Sequence, residues 1–171
     1  MAKNLIIYYS RKGENYWNGS IKNLTKGNTE IVAEFIQNAV GGDLFEVETV
    51  KSYADDYYVC IEEAKQELRE NARPELKKYL DSIDGYDNIF ICGPCWWSKF
   101  PCAVLTLIER LDFTGKKVMA VMTHEGSGLG SCESDLKKIC TGATFGKGLA
   151  VHGADASKSE STVAAWAKKL M

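Results

Sequence analysis

Short apolar runs that suit a β-strand alternate along this chain with stretches of helical periodicity, and no other feature constrains its fold as strongly. Residues 44–49 alternate apolar and charged side chains, as an edge strand does. Four further runs are typical of buried strands and cover residues 4–9, 88–93, 116–122 and 146–152. The helical stretches cover residues 29–40, 102–111, 131–140 and 159–170. Alternation of this kind predicts an α/β fold with a parallel sheet and helices on both faces.

The length and composition indicate one ordinary globular domain over residues 1–171. Apolar residues make up 45% of the chain and charged residues 26%, and no repeat or linker interrupts it. The apolar run at residues 5–9 is too short for the core of a signal peptide, and no run approaches the length of a membrane helix. We therefore expect a cytoplasmic protein without a membrane partner, in which the six cysteines stay reduced.

The formal net charge of −2 disfavours a nucleic-acid partner, because a phosphate backbone is bound by a basic surface. Acidic residues concentrate between residues 43 and 87, where thirteen acids stand against six bases. The simplest interpretation of this region is a solvated helical face. An acidic docking surface for a positively charged redox partner is the alternative interpretation.

Three loops follow the carboxyl ends of predicted strands, which is where parallel sheets bind ligands. They cover residues 10–28, 94–100 and 123–130. In the first loop, Ser10, Asn28 and Thr29 surround the predicted start of a helix, whose unpaired N–H groups suit a phosphate. An equally ordinary interpretation is that Asn28 or Thr29 is a helix N-cap.

The second and third loops carry groups that suit a flat heterocycle. Trp96 and Trp97 are adjacent at a polar strand end, where an exposed aromatic side chain can stack on a ring. Glycines at positions 126, 128 and 130 free the backbone of the third loop to donate hydrogen bonds, although a flexible turn would look the same. The P-loop pattern and the dinucleotide pattern G-x-G-x-x-G are both absent.

Taken in order, these motifs resemble the flavodoxins. They are a strand that ends in Tyr-Ser, a Gly-Asn-Thr-Glu helix start, a Gly-Pro-Cys-Trp-Trp loop and a Thr-x-x-Gly-Ser-Gly loop. The chain is most similar to bacterial flavodoxin-like proteins whose phosphate loop is split by an insertion. The resemblance implies a five-stranded, doubly wound parallel sheet of strand order 2-1-3-4-5, with FMN as the cofactor at its carboxyl edge.

The resemblance also implies which residues hold FMN. The phosphate-binding positions match Ser10, Lys12, Asn28 and Thr29. The loop that contacts the flavin matches Pro94, Cys95, Trp96, Trp97 and Ser98. The loop that meets the pyrimidine edge matches Thr123, Glu125, Gly126 and Ser127. Residues 14–26 intervene in the phosphate loop, and their segment 16–19 could fold over the flavin or pack on the surface.

Cys92 and Cys95 spell a dithiol motif that the surrounding sequence disfavours. In thioredoxin-type proteins a helix follows the motif and a later proline faces the dithiol. Here five residues, Trp-Trp-Ser-Lys-Phe, delay any helix, and no proline follows Pro101. The two histidines, His124 and His152, lack the close spacing of a zinc site, so no metal is expected.

Three functions follow from these patterns. The first is a low-potential, flavodoxin-type electron carrier that works between redox protein partners, as a monomer or weak dimer. The second is an NAD(P)H-dependent reductase of quinones or FMN with the same fold. The third, which the sequence favours least, is a dithiol oxidoreductase that uses Cys92 and Cys95.

Overall fold

The computed structural model describes residues 2–171, which form eight strands and five helices. The strands are β1 (Asn4–Tyr8), β2 (Gly13–Trp17), β3 (Ser20–Leu24), β4 (Asp43–Glu46), β5 (Asn88–Pro94), β6 (Lys117–His124), β7 (Thr144–Phe145) and β8 (Leu149–His152). The helices are α1 (Asn28–Val40), α2 (Tyr57–Glu70), α3 (Cys102–Ile108), α4 (Cys132–Ile139) and α5 (Glu160–Leu170), with a 3₁₀ turn (Gly153–Lys158) before α5. Within the described chain, no helix has the length and apolar character needed to cross a bilayer.

The centre of the main sheet consists of β1, β5 and β6, whose side chains are buried on both faces. Runs of Ile, Leu, Val and Phe favour such central parallel strands, since neither face meets water. The strand order is β4-β1-β5-β6-β7, and every pairing is parallel. When the separate hairpin β2–β3 is left out, β1, β4, β5, β6 and β7 are the first to fifth strands of the main sheet in chain order. The arrangement therefore confirms the predicted order 2-1-3-4-5.

The last strand of the sheet differs from the prediction because it is split into β7 and β8, which both pair with β6. Lys117 lies opposite Thr144, whereas Val121 lies opposite Leu149. The split strand therefore contains one residue more than β6 over this stretch, which is the geometry of a bulge. The extra residue falls at 146–148, where the sequence Gly-Lys-Gly tolerates the bend.

Helices cover both faces of the sheet, as predicted. On one face α1 and α5 pack in a buried cluster that includes Ile36, Phe90 and Val163. On the other face α2, α3 and α4 pack in a second cluster that includes Leu107 and Leu136. This coverage is what a parallel sheet with apolar central strands requires.

Two elements were not predicted as such. Residues 10–28 contain the antiparallel hairpin β2–β3, which turns at Asn18-Gly19 with φ values of 47° and 90°. An Asn-Gly pair is the strongest short-range signal for this type of hairpin turn, but the flanking residues are too polar to stand out as strands. Helix α2 lies in the acidic region and carries its own start signal, because the Asp56 side chain accepts the Val59 N–H at 3.0 Å. The interpretation of that region as a solvated helical face therefore fits residues 57–70.

Asn4 is a buried polar residue that ties the first strand to the end of α1 and to β5. Its amide group donates to the Val40 carbonyl at 3.0 Å, and its Oδ1 accepts from Asn88 at 2.9 Å. Asn4→Ala should lower the free energy of unfolding by about 1–3 kcal/mol, because it leaves buried polar groups without partners. Urea unfolding measures this loss. The matched control is Asn38→Ala on the exposed face of α1, which should cost nothing; an equal loss in both variants would contradict the role of Asn4.

Candidate functional site

The two halves of the interrupted first loop meet at the N-terminus of α1. The Ser10 hydroxyl accepts the Glu30 N–H at 3.0 Å. A Cβ on Gly27 would lie 2.1 Å from Ser10 Oγ and 2.7 Å from the Arg11 carbonyl oxygen, so only glycine fits there. The chain thus leaves this point after Arg11, forms the hairpin, and returns to the same point at Gly27.

The helix N-cap is Gly27, which has no side chain of its own to cap α1, so the Ser10 hydroxyl from the other half of the loop accepts the Glu30 N–H in its place. Asn28 and Thr29 are the first two helical residues, so the interpretation of either as an N-cap is wrong. The N-terminus of a helix presents N–H groups and a partial positive charge to its surroundings.

A buried hydrogen bond joins the first loop to the third. Thr29 is 2% exposed, and its Oγ1 lies 2.8 Å from Oγ1 of Thr123 near the end of β6. This bond fixes the start of α1 against the carboxyl end of a central strand. The structure therefore brings together two of the site residues that the resemblance implied.

The third loop begins with two titratable side chains that face the end of β8. Glu125 Oε2 lies 3.2 Å from His152 Nε2. Burial raises the pKa of Glu125, while His152 and the nearby backbone N–H of Asn18 act to lower it. The Nδ1 atom of His124 accepts the Gly126 N–H at 2.9 Å. Burial, and then the proximity of His152, lower the pKa of His124 and favour its neutral form.

The second loop separates its two tryptophans. Trp96 is 7% exposed and packs edge-on against Tyr9 and Tyr53, each with a ring-centroid distance of 5.3 Å. Trp97 is 45% exposed, and its indole N–H donates to the Ile61 carbonyl of α2 at 2.9 Å. Only Trp96 therefore faces the point where the three loops converge.

The turn formed by Trp97 and Ser98, between Trp96 and Lys99, has a strained backbone. Trp97 and Ser98 have φ values of 56° and 65°, which non-glycine residues rarely adopt. The Ser98 carbonyl oxygen accepts the Ser131 N–H at 2.9 Å, and Gly130 packs so closely that a Cβ would lie 2.3 Å from that oxygen. These contacts hold the turn in its unusual conformation.

A solvent-open cavity lies where the loops converge. Its lining residues are Asn15, Tyr16, Asn28, Tyr57, Pro94, Cys95, Trp96, Thr123, His124, Glu125 and Gly153. Six of the residues implied by the resemblance line it directly: Asn28, Pro94, Cys95, Trp96, Thr123 and Glu125. Four others, Ser10, Ser98, Gly126 and Ser127, belong to the surrounding loops, and Thr29 belongs to the first turn of α1. The side chain of Trp97 packs against α2 instead. Lys12 lines a neighbouring depression with Arg11 and Asp55.

The hairpin β2–β3 spans the mouth of this cavity. On one side, the Glu14 carboxylate accepts the Tyr57 N–H at 2.9 Å, and the Tyr16 and Tyr57 ring centroids lie 6.1 Å apart. On the other side, the backbone N–H of Asn18 faces Glu125. Of the two positions considered for this segment, the structure shows the one over the site. Tyr16 belongs to the segment that the sequence analysis considered as a cover, whereas Tyr57 was missed as a lining residue because α2 was not predicted.

Cys92 and Cys95 do not form a dithiol site. Cys92 is fully buried in the cluster on the α1 side of the sheet, whereas Cys95 packs on the opposite face and lines the cavity. Burial raises the pKa of both thiols. Since side chains three residues apart on an extended strand point to opposite faces, the two thiols do not act together. Within residues 2–171 no cluster of three metal-ligating side chains occurs either.

Comparison with known proteins agrees with this geometry. The family model described as flavodoxin matches residues 22–170. The chain belongs to the flavodoxin family. No protein with a curated description is similar enough in sequence to count as a match.

Several solved structures share the flavodoxin fold of this chain over its whole length. A protein of Bacteroides uniformis ATCC 8492 described as a candidate flavoprotein has 29% identity and a TM-score of 0.75, with 98% of each chain covered. Its counterpart from Bacteroides eggerthii DSM 20697 has 26% identity and a TM-score of 0.77, with 99% of this chain and 98% of that chain covered. A Lactobacillus acidophilus NCFM flavoprotein in complex with FMN has 22% identity and a TM-score of 0.64, over 92% and 98% of the two chains.

The contact between Gly27 and Ser10 yields a test by substitution. Gly27→Ala adds a methyl group where no space exists, so the free energy of unfolding should fall by about 1–3 kcal/mol. Chemical denaturation measures the change. The matched control is Gly85→Ala, which meets no atom within 4 Å and has no positive φ. If Gly27→Ala proved as stable as Gly85→Ala, the two halves of the loop would not meet as described.

Proposed function

We propose that this chain binds FMN in the cavity beneath the hairpin and carries electrons, one at a time, between redox protein partners. The observation that supports this most strongly is the closure of the split loop, in which Gly27 packs against Ser10 at the start of α1. The relative from Lactobacillus acidophilus and a flavodoxin from Fusobacterium nucleatum are both described with bound FMN.

The phosphate of FMN would lie at the N-terminus of α1. Free N–H groups and the helix dipole favour an anion there. The hydroxyl of Ser10 and the side-chain amide of Asn28 lie at the same point and can add hydrogen bonds. Lys26 is not available for this purpose, because its ammonium group pairs with Glu34 at 2.6 Å.

The flavin ring would lie between the second and third loops. Trp96 offers a buried aromatic wall, and Thr123 and the third loop offer hydrogen-bonding groups along the opposite edge. FMN supplies the redox chemistry when it is bound, and the chain positions it and limits its contact with water. The hairpin contributes to this exclusion, since Tyr16 covers the cavity mouth beside Tyr57.

The hairpin favours an electron carrier over a reductase that accepts hydride. Hydride transfer requires a nicotinamide ring to approach the flavin to roughly 3–3.5 Å. Beneath the hairpin the cavity, although open to solvent, has a volume of only about 70 Å³, far below the several hundred Å³ of ordinary ligand sites. The hairpin must therefore lift to admit one ring, and a second ring stacked on the first would require a further displacement.

The surface beside α2 would receive the protein partner. Tyr58, Val59 and Trp97 are exposed there by 58%, 50% and 45%. Tyr58 and Val59 lie within residues 43–87, the region in which acids outnumber bases, and Trp97 packs against the same helix. Exposed apolar side chains among acidic ones suit a partner with a basic rim around an apolar centre. We further propose that the protein acts in the cytoplasm, as a monomer or weak dimer.

Stopped-flow reduction of the FMN-loaded protein tests the proposed carrier function. The loaded protein should be yellow, and NADPH or NADH should reduce it slowly because Tyr16 and the hairpin cover the cavity. Tyr16→Ala should accelerate the reduction by roughly tenfold, which corresponds to about 1.4 kcal/mol of the barrier.

The matched control is Trp17→Ala, since Trp17 is the next residue of β2 and packs under Lys22 outside the cavity lining. That variant should keep the slow rate. Fast reduction of the unmodified protein, with no gain in Tyr16→Ala, would favour the NAD(P)H-dependent reductase of quinones or FMN. A protein that takes up no added FMN would contradict both functions.

A further inference from the structure

We propose that Tyr53 is a redox-active tyrosine, which donates one electron to Trp96 while its hydroxyl proton passes to Glu67. The inference rests on the proposed binding of FMN beside Trp96, and it assigns a second redox site behind the flavin.

The first element of this site is an unbroken aromatic contact that leads away from the cavity. Trp96 lines the cavity, and the Tyr53 ring packs edge-on against it with a centroid distance of 5.3 Å and an interplanar angle of 86°. Rings in direct contact exchange electrons over the shortest distance that a protein allows. Tyr53 is therefore placed to replace the electron that Trp96 gives up.

The second element is a base at the phenol. The Tyr53 hydroxyl donates to Glu67 Oε1 at 2.5 Å, which is short for a hydrogen bond between oxygens. A phenol that loses an electron becomes strongly acidic, so a carboxylate at this distance can take its proton without any rearrangement. Burial raises the pKa of Glu67, which makes its ionised form a better base, although the bond from Tyr53 opposes this shift.

The third element is the environment of the pair. Burial and the hydrogen bond to Glu67 raise the pKa of Tyr53, so the phenol stays protonated until it is oxidised. Glu67 also lines a second, solvent-open groove between α2 and residues 50–53 and 72–75. The pair thus contacts the cavity wall through Trp96 on one side and reaches water through Glu67 on the other.

The electrons and protons of the step balance. Trp96 would give up one electron, for which bound FMN excited by light would supply the oxidant. The resulting indole radical cation takes one electron from Tyr53, whose proton moves to Glu67. A neutral phenoxyl radical and a protonated carboxyl group remain until the electron returns from the flavin and the proton returns to Tyr53. The path therefore moves an oxidising equivalent from the flavin to the second groove.

Tyr9 provides a matched comparison. Its ring also packs against Trp96 with a centroid distance of 5.3 Å. Among the hydrogen bonds of residues 2–171, however, none joins the Tyr9 hydroxyl to a carboxylate, and Tyr9 is 7% exposed. Tyr9 can accordingly contact the same radical but donates no hydrogen bond to a carboxylate that would take its proton directly.

Transient absorption after a laser flash tests the assignment in the FMN-loaded protein. The unmodified protein should show an indole radical that decays as a neutral tyrosyl radical appears. Tyr53→Phe should abolish the tyrosyl signal and prolong the indole radical, whereas Tyr9→Phe should change neither. Glu67→Gln should slow tyrosyl formation by roughly tenfold or more, equivalent to about 1.4 kcal/mol of the barrier. An undiminished tyrosyl signal in Tyr53→Phe would overturn the proposal.

A second measurement does not depend on the flavin. A photogenerated ruthenium(III) polypyridyl oxidant applied to the FMN-free protein should give a tyrosyl radical by electron paramagnetic resonance, and Tyr53→Phe should diminish it and leave the contribution of the exposed Tyr58. If this signal appears while the FMN-loaded protein shows no radical, the redox role of Tyr53 is supported and the flavin does not bind beside Trp96. If Tyr53→Phe leaves the signal unchanged, Tyr53 is not the donor.

Discussion

The close contact between Gly27 and Ser10 is the constraint on which the site depends. It brings the end of β1 against the start of α1, although the hairpin intervenes between them in sequence. The buried bond between Thr29 and Thr123 then fixes that helix start against the end of β6. Because all central strands are parallel, their carboxyl ends lie at one edge, and the second loop necessarily meets the other two there. The geometry of the site thus follows from two short-range contacts and the direction of the strands.

The sequence predicted the central strands and the helices around them because their apolar side chains must be buried on both faces or along one face. It also predicted the three loops, and it identified Asn28, Cys95 and Trp96, which line the cavity. The sequence could not show which of the two adjacent tryptophans faces the cavity, because that depends on the elements that pack against them. Trp97 bonds to α2, a helix that was not predicted. Tyr16 and Tyr57 reach the cavity from the hairpin and from α2, whose polar sequences gave only local signals, the Asn18-Gly19 turn and the Asp56 cap.

The hairpin changes what an otherwise ordinary sheet edge can do. Glu14 attaches it to α2 at one side of the cavity, and at the other side Asn18 lies near Glu125. With FMN bound as proposed, the hairpin would hold large second reactants away from the ring while electrons cross the thin protein layer. Behind the same cavity, Trp96 and Tyr53 form a continuous aromatic contact toward α2. Both features support the proposed transfer of single electrons to a protein partner.

Amide hydrogen exchange with and without FMN tests most directly whether the three loops and the hairpin hold the cofactor. The account predicts that FMN slows exchange in four segments together, namely residues 13–24, 27–31, 94–99 and 123–127. The groove between α2 and residues 72–75 should exchange at an unchanged rate. Protection confined to that groove, or FMN binding that leaves residues 27–31 unprotected, would contradict the account.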